Sequence, residues 1–334
     1  MRTALPHHRN RRQRVARLSR GLTAPVAALA LLAGCTAAGA QPVPAPSTAG
    51  AVTVDNCGTS VTFDTAPERV VAIKSTSVEM LLALGLGDRI VATAFTDGPV
   101  PPRWAGELDA PELSAFMPNE ESVLQTRPDL VYSGWESAFA ADAAGTRDEL
   151  ASLGVTSYVQ PAACRSAEVP PKLTFEEIFG EIRQVADIFR VDPTELLATQ
   201  QKTLDGIRPD ARGRTALWYS SGTDIPYVGG GLGAPELIME TAGLTNIAAD
   251  VDATWDSLGW EAIVAANPDV IILVDASWNT ADEKIARLES NPATAALPAV
   301  ANKRYIIVPF PSGEAGVRTV DAAASVAEQL AALP

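Results

Sequence analysis

Leu173–Phe189 reads LTFEEIFGEIRQVADIF, with apolar residues at 175, 178, 179, 182, 185, 188 and 189. That spacing is one face of an α-helix. Thr174 and Glu177 stand where a capping box would close the first turn. At 1.5 Å per residue, its seventeen residues span about 25 Å. Asp192-Pro193 opens a second helix running to about Ile207.

On both sides of this helical pair the pattern is different. Before it, apolar runs at Arg69–Ile73, Arg89–Ala94, Asp129–Tyr132 and Thr156–Val159 read as buried strands. Helical patterns at Ser77–Leu84, 119–127 and Arg147–Leu153 separate them, with Ser75 to Ser77 offering caps for the first. After it, strands are predicted at Thr215–Tyr219, Val270–Val274 and Tyr305–Val308. Helices are predicted at Pro235–Thr241, Trp260–Ala266, Ile285–Glu289 and Thr319–Ala332. Alternating strands and helices imply parallel sheets covered by helices.

The halves also echo one another. Residues 119–131 read NEESVLQTRPDLV and 259–271 read GWEAIVAANPDVI: a helix, Pro-Asp, then a strand, with a Glu seven residues before each Pro. A looser echo pairs Glu79-Met80-Leu81-Leu82 with Glu236-Leu237-Ile238-Met239. The expected fold class is therefore α/β, two Rossmann-like lobes with parallel sheets joined by a long rigid α-helix. Its boundaries are 52–170 for the first lobe, 171–208 for the linking helices and 209–334 for the second lobe.

The N-terminus is of another kind. Residues 1–20 hold seven arginines and no acid, residues 22–33 (LTAPVAALALLA) are apolar, and Leu32-Ala33-Gly34-Cys35 follows. This is the order of a secretory signal peptide over 1–34, and its apolar run is too short to span a bilayer comfortably. Leu-Ala-Gly-Cys resembles the lipobox of bacterial lipoproteins, which makes Cys35 the lipidated first mature residue. Residues 35–51, rich in Ala, Pro, Gly, Ser and Thr, read as a flexible tether.

Export changes the chemistry available. With residues 1–34 gone, 26 basic residues fall to 19 against 40 acidic, and the net charge moves from −14 to about −21. So acidic a chain repels nucleic acid. His7 and His8, the only histidines, leave too. That excludes a Ser-His-Asp triad, a Cys-His pair and a His-ligated metal. No enzyme, cofactor or metal is expected. With Cys35 lipidated, Cys57 and Cys164 either stay as two thiols or pair outside the cell. The bridge is favoured, and closing a loop of about 107 residues would be worth ~4 kcal/mol in the chain-entropy model.

A ligand of two such lobes is expected at the loops after the strands' C-terminal ends. Those loops supply Lys74, Ser75, Thr76, Phe95, Trp135, Glu136, Tyr219, Tyr227, Trp255, Trp278 and Arg318. Gly230, inside the run Gly229–Gly233, reads as part of a flexible ligand-side loop or a mere turn. The aromatic residues suit a flat conjugated ligand. Lys74 and Arg318 suggest an anionic group on it, unless they are engaged by carboxylates such as Glu136 or Glu314.

The segments RVVAIKSTSVEMLLALGLGDRIVA, NEESVLQTRPDLVYSGW and WEAIVAANPDVIILVD resemble the helical-backbone substrate-binding proteins of ABC importers, the class III periplasmic binding proteins for ferric siderophores, haem and cobalamin. The resemblance spans about residues 52–332. It implies a monomer held on the extracytoplasmic face of the cell membrane by its lipid anchor. It also implies a small-molecule ligand, and as partners an ABC permease and its ATPase subunits. It assigns to Glu121 and Glu261, one per lobe, a role in docking to permease arginines. More narrowly, KSTSVEMLLALGLGDRIVATAF and TALWYSSGTDIPYVGGGLGAPELIMETAGLTN look like an actinobacterial subgroup proposed to bind a deazaflavin coenzyme precursor.

Overall fold

Thr174 and Glu177 do close a capping box, and it sets the start of the linking helix. Thr174 Oγ1 accepts from the Glu177 amide at 3.2 Å, and Glu177 Oε2 accepts from the Thr174 amide at 2.7 Å. The computed structural model describes residues 50–165 and 169–334. The expected signal peptide, Cys35 and all but the end of the expected tether therefore lie outside the described residues. No helix among the described residues is long and apolar enough to cross a membrane.

The first part of the chain forms β1 (Val52–Asn56), β2 (Thr59–Phe63), β3 (Val70–Ile73), α1 (Ser75–Ala83), β4 (Ile90–Ala94), α2 (Glu120–Gln125), β5 (Leu130–Ser133), α3 (Arg147–Ser152) and β6 (Thr156–Val159). Strands β4-β3-β5-β6 make a parallel sheet in that order. Both of its faces are covered, so its strands are continuous apolar runs rather than alternating ones. Val70, Ala72, Leu130 and Tyr132 point to one core, while Val71, Ile73, Val131 and Val159 point to the other.

The antiparallel hairpin β1–β2 was not foreseen. Its two-residue loop, Cys57-Gly58, has φ of 56° and 76°. Positive φ at both positions is what a type I′ hairpin turn requires. Asn56 fastens the hairpin to β6: its Nδ2 donates to Val159 O at 2.6 Å, and its Oδ1 accepts from the Val159 amide at 2.8 Å. Cys57 is bridged to Cys164, with Cα atoms 5.2 Å apart.

The linking helices are α4 (Phe175–Phe189) and α5 (Thr194–Gly206). After them come β7 (Thr215–Ser221), β8 (Tyr227–Gly229), α6 (Ala234–Ala242), β9 (Thr245–Asn246), β10 (Trp255–Ser257), α7 (Trp260–Ala266), β11 (Val270–Asp275), α8 (Ala281–Ser290), α9 (Pro292–Ala295), α10 (Pro298–Ala301), β12 (Tyr305–Pro309) and α11 (Thr319–Ala332). Strands β7, β11 and β12 are parallel, and β9 joins the start of β7 in parallel. Here the sheet departs from the all-parallel expectation. β8 runs antiparallel to the end of β7, and β10 runs antiparallel to β8. At three residues each, these strands are too short to leave a periodicity in the sequence.

The repeated motifs acquire a structural reason. The helix of each ends on a left-handed residue before its proline, Arg127 at φ 52° and Asn267 at φ 48°. The aspartate that follows caps the first strand of its sheet. Asp129 accepts from the Glu68 and Arg69 amides at 2.8 and 3.0 Å, and Asp269 from the Thr215 amide at 2.9 Å. In the looser echo, Glu79 on α1 and Glu236 on α6 are both buried. Glu79 pairs with Arg318 and Glu236 with Lys172, so each helix holds a cation from outside its own β-α-β unit.

One feature beyond the linking helix ties the halves. The segment after β12 returns to the first sheet, where Val317 and Val320 are buried in the same apolar cluster as Val70, Leu81 and Ile182.

Candidate functional site

Helix α4 buries Ile178, Ile182, Val185 and Phe189 in the first core, each worth roughly 1.5–3 kcal/mol on full burial. Its other face carries Glu177, Gly180, Glu181 and Gln184, at helical spacing, into a cavity of about 760 Å³. The first sheet contributes Thr76, Gly134, Trp135 and the stretch from Gln160 to Arg165 to its lining. The second contributes Tyr227, Gly233 and Asp252–Trp255, and Gly313–Ala315 add to the lining from the segment after β12. The cavity thus sits where loops from the C-terminal ends of β5, β6 and β12 converge.

Four of the residues read from the sequence line it: Thr76, Trp135, Tyr227 and Trp255. Pairing of β8 with β10 sets Tyr227 beside Trp255, their rings stacked with centroids 6.0 Å apart and 13° between planes. Trp135 donates its indole N–H to Glu314 Oε1 at 2.8 Å. Gly134 lies so close to Thr76 that a Cβ there would come within 2.2 Å of Thr76 Oγ1.

Other expected ligand residues are engaged elsewhere. Lys74 is fully buried. Its Nζ bonds Asp97 and lies 3.8 Å from Glu314. It sits 3.5, 4.2 and 5.1 Å from the ring centroids of Trp135, Phe95 and Phe310. Ser75 Oγ accepts from the Asp97 amide at 3.0 Å, holding that partner in place. Ser77 Oγ donates to Ile73 O at 2.6 Å from inside α1 rather than capping it. Arg318 is taken by Glu79, with Nε–Oε2 at 2.9 Å and a second bond from Nη2. Neither cation is left facing the cavity, which removes the basis for expecting an anionic ligand group. Burial does this: an unpaired charge inside the protein costs several kcal/mol, so each cation takes the nearest carboxylate.

The remaining corrections are steric. Tyr219 is a core residue of β7, donating its hydroxyl to Gly222 O at 2.6 Å, with its ring edge-on to Trp260. Gly230 is neither flexible nor exposed. Its amide donates to Thr254 O at 3.0 Å, and a Cβ would meet Ala253 O at 2.3 Å. Phe95 packs on Trp135, and Trp278, 53% exposed, packs on Phe310; both lie off the described lining. Glu136 also lies off it, accepting from the Arg165 amide at 2.5 Å. Glu121 and Glu261 are exposed at the second residue of α2 and of α7.

Sequence reasoning missed the polar floor of the cavity. Glu181 accepts from the Ala162 amide at 2.6 Å and from Gln160 Nε2 at 3.4 Å, and burial pushes its carboxyl up to about 7. Burial likewise pushes Glu314 up to about 7, with Lys74 opposing the rise and Asp97 adding to it. Asp97 and Glu79 are also raised by burial, against the lowering effect of Lys74 and Arg318. The one available signal was the stripe at 177, 181 and 184 on the linking helix, which reads equally as a solvated face. Among the described residues no cluster of His, Cys, Asp and Glu is placed to hold a metal ion.

Comparison with known proteins gives a consistent result. The family model described as periplasmic binding protein matches residues 70–311. An uncharacterised ABC transporter substrate-binding lipoprotein, YvrC, of Bacillus subtilis is 25% identical over 286 residues, covering 84% of this chain and 85% of that protein. A periplasmic binding protein from Veillonella parvula superposes with a TM-score of 0.74 at 28% identity, over 84% of this chain and 97% of its own. A protein of an ABC-type Fe3+-hydroxamate transport system from Saccharomonospora viridis does so with a TM-score of 0.71 at 26% identity, over 83% and 98%.

Proposed function

Because the chain belongs to the periplasmic binding protein family, we propose that it is the extracytoplasmic substrate-binding lipoprotein of an ABC importer. In this reading Cys35 carries the lipid that holds a monomer at the membrane. Residues 52–170 and 209–334 are its lobes, and 171–208 the link that limits their motion. The protein captures a small flat molecule between the lobes and delivers it to a permease and its ATPase subunits. Glu121 and Glu261, exposed at equivalent places in the two halves, are the docking carboxylates, where charge-assisted pairs to arginine would fix orientation.

The observation that carries this proposal is the cavity of about 760 Å³, walled by Trp135 on one side and by stacked Tyr227 and Trp255 on the other. Its size and its aromatic walls suit a conjugated small molecule. The deazaflavin precursor is favoured as a flat tricycle. A ferric siderophore, haem or cobalamin is the second reading, supported by similarity to the protein of the Fe3+-hydroxamate system.

Titrating the purified protein with a deazaflavin precursor, a ferric hydroxamate, haemin and cobalamin, read by tryptophan fluorescence, tests the proposal. One of them is expected to bind with an affinity that falls in Trp255→Ala. If the substitution leaves every affinity unchanged, the cavity is not the ligand site.

A further inference from the structure

The cavity has a chemical polarity that the sequence did not announce. Among its described lining residues, Glu177, Glu181, Asp252 and Glu314 are carboxylates and Arg165 is the cation. Glu181 lies in the buried floor, whereas Arg165 is exposed at its edge.

A second, independent feature points the same way. Gln160 is 2% exposed and lines the cavity, and its Nε2 donates to Glu181 Oε2 and to Ala315 O. Both neighbours are acceptors, so they fix which way the amide faces, and Gln160 Oε1 is left with no hydrogen-bond partner. Thr76, 5% exposed, is likewise a lining residue whose Oγ1 has no partner, as is Oε2 of Glu314. A buried polar group left unpaired is costly to stability. The deep wall therefore gathers more lone pairs and carboxyl groups than donors, the Thr76 hydroxyl being able to act as either. These atoms lie within the wall rather than on its surface, so they act first through their field, which is strong where water is excluded.

We infer that the cavity accepts a flat ligand head that carries hydrogen-bond donors or positive charge and no negative charge. The head enters against Gln160, Thr76, Glu181 and Glu314, and any anionic tail points outward to Arg165. A ring N–H or hydroxyl would point its positive end into the field of these buried acceptors, and an ammonium would also gain from the aromatic faces of Trp135 and Trp255. A carboxylate or phosphate at the same depth would meet the acidic wall, and the buried cations behind it, Lys74 and Arg318, are already held by Asp97 and Glu79. The inference rests on the proposed reading of this cavity as the ligand site.

Two tricyclic probes of similar size test it: lumichrome, neutral with ring N–H donors, and resorufin, an anion. Calorimetry on the purified protein is expected to show lumichrome binding at least tenfold more tightly, with both affinities reduced in Trp255→Ala and the gap narrowed in Glu181→Gln. The comparison in the unsubstituted protein stands even if a variant fails to fold. Resorufin binding as tightly as lumichrome, or more tightly, overturns the inference and leaves the cavity as the ligand site. If neither probe binds in a way that depends on Trp255, the flat-ligand reading and the inference fall together. For the tail, riboflavin and its 5′-phosphate are compared in Arg165→Gln. Loss confined to the phosphate, about threefold or more, is expected; equal loss for both removes Arg165 from the rim role.

Discussion

The seam between the halves and the cavity beside it share one residue, Glu314, yet their charges are arranged in opposite ways. In the seam every charge has its partner: Lys74 with Asp97, Arg318 with Glu79, and Arg103 with Asp321 at 2.5 Å. In the cavity, carboxylates and unpaired acceptors gather around aromatic walls. Paired charges of this kind are suited to holding two lobes in a fixed relation. An unbalanced wall is suited to a ligand that supplies what is missing. The cations that the sequence placed at the ligand do the first job, and the residues it left unremarked are placed for the second.

The comparison breaks most severely at Lys74. Lys74→Met leaves Asp97 buried without its cation and should cost about 3–5 kcal/mol, seen as a lower urea midpoint. Adding Asp97→Asn should restore much of the loss, and a single variant as stable as the parent would show that the pair does not hold the seam.

The carboxyls of the cavity predict the direction of a pH effect. Burial raises Glu181 from the ordinary 4.5 to about 7. Between those values the native state keeps a proton that the unfolded chain releases, so stability falls as pH rises. The contribution is fully present below about 4.5 and gone above about 7. It amounts to about 3 kcal/mol at most. Melting temperatures at pH 5 and pH 8 should show the decline, and Glu181→Gln should flatten it. A profile equally steep in that variant would assign the effect to Glu79, Asp97 and Glu314.

Next come the aromatic residues. Trp255→Ala should weaken ligand binding tenfold or more, about 1.4 kcal/mol, while Trp278→Ala should change it less than twofold. Equal losses at the two positions would erase the distinction between cavity wall and outer rim. Smallest in their effect on the protein itself are the residues proposed to dock. Glu121→Ala and Glu261→Ala should alter stability by less than about 0.5 kcal/mol and leave binding intact, yet abolish uptake by cells. Normal uptake in the double variant would retire their assignment.

Most of the fold was readable because it depends on local pattern. The capping box at Thr174, the buried runs Val70–Ile73 and Val270–Val274, and the repeated Pro-Asp each announce themselves within a few residues. The hairpin β1–β2 was readable too, since Asn56-Cys57-Gly58-Thr59 between alternating stretches is a turn signal that went unused. Strands β8 and β10 were not, because each is three residues long and β10 exists only through pairing with β8 across 26 residues of chain. The same divide runs through the site. Tyr219 and Trp218 adjoin in sequence, yet they lie in different cores because side chains alternate along β7. Which ring faces a ligand is then a matter of which layers cover each face.

By itself, then, the sequence determined the two β-α halves, the helical link between them, the aromatic character of the loops at the strand ends and the absence of histidine from everything after His8. Those follow from periodicity and composition, which act over short stretches of chain. Only the tertiary structure decided where the charges went. Glu79 and Arg318 stand 239 residues apart, and Lys74 and Glu314 are just as remote in sequence. Whether a lysine meets a ligand or an aspartate depends on which carboxylate folding buries beside it, since a buried charge must find a partner and the nearest one in space takes it.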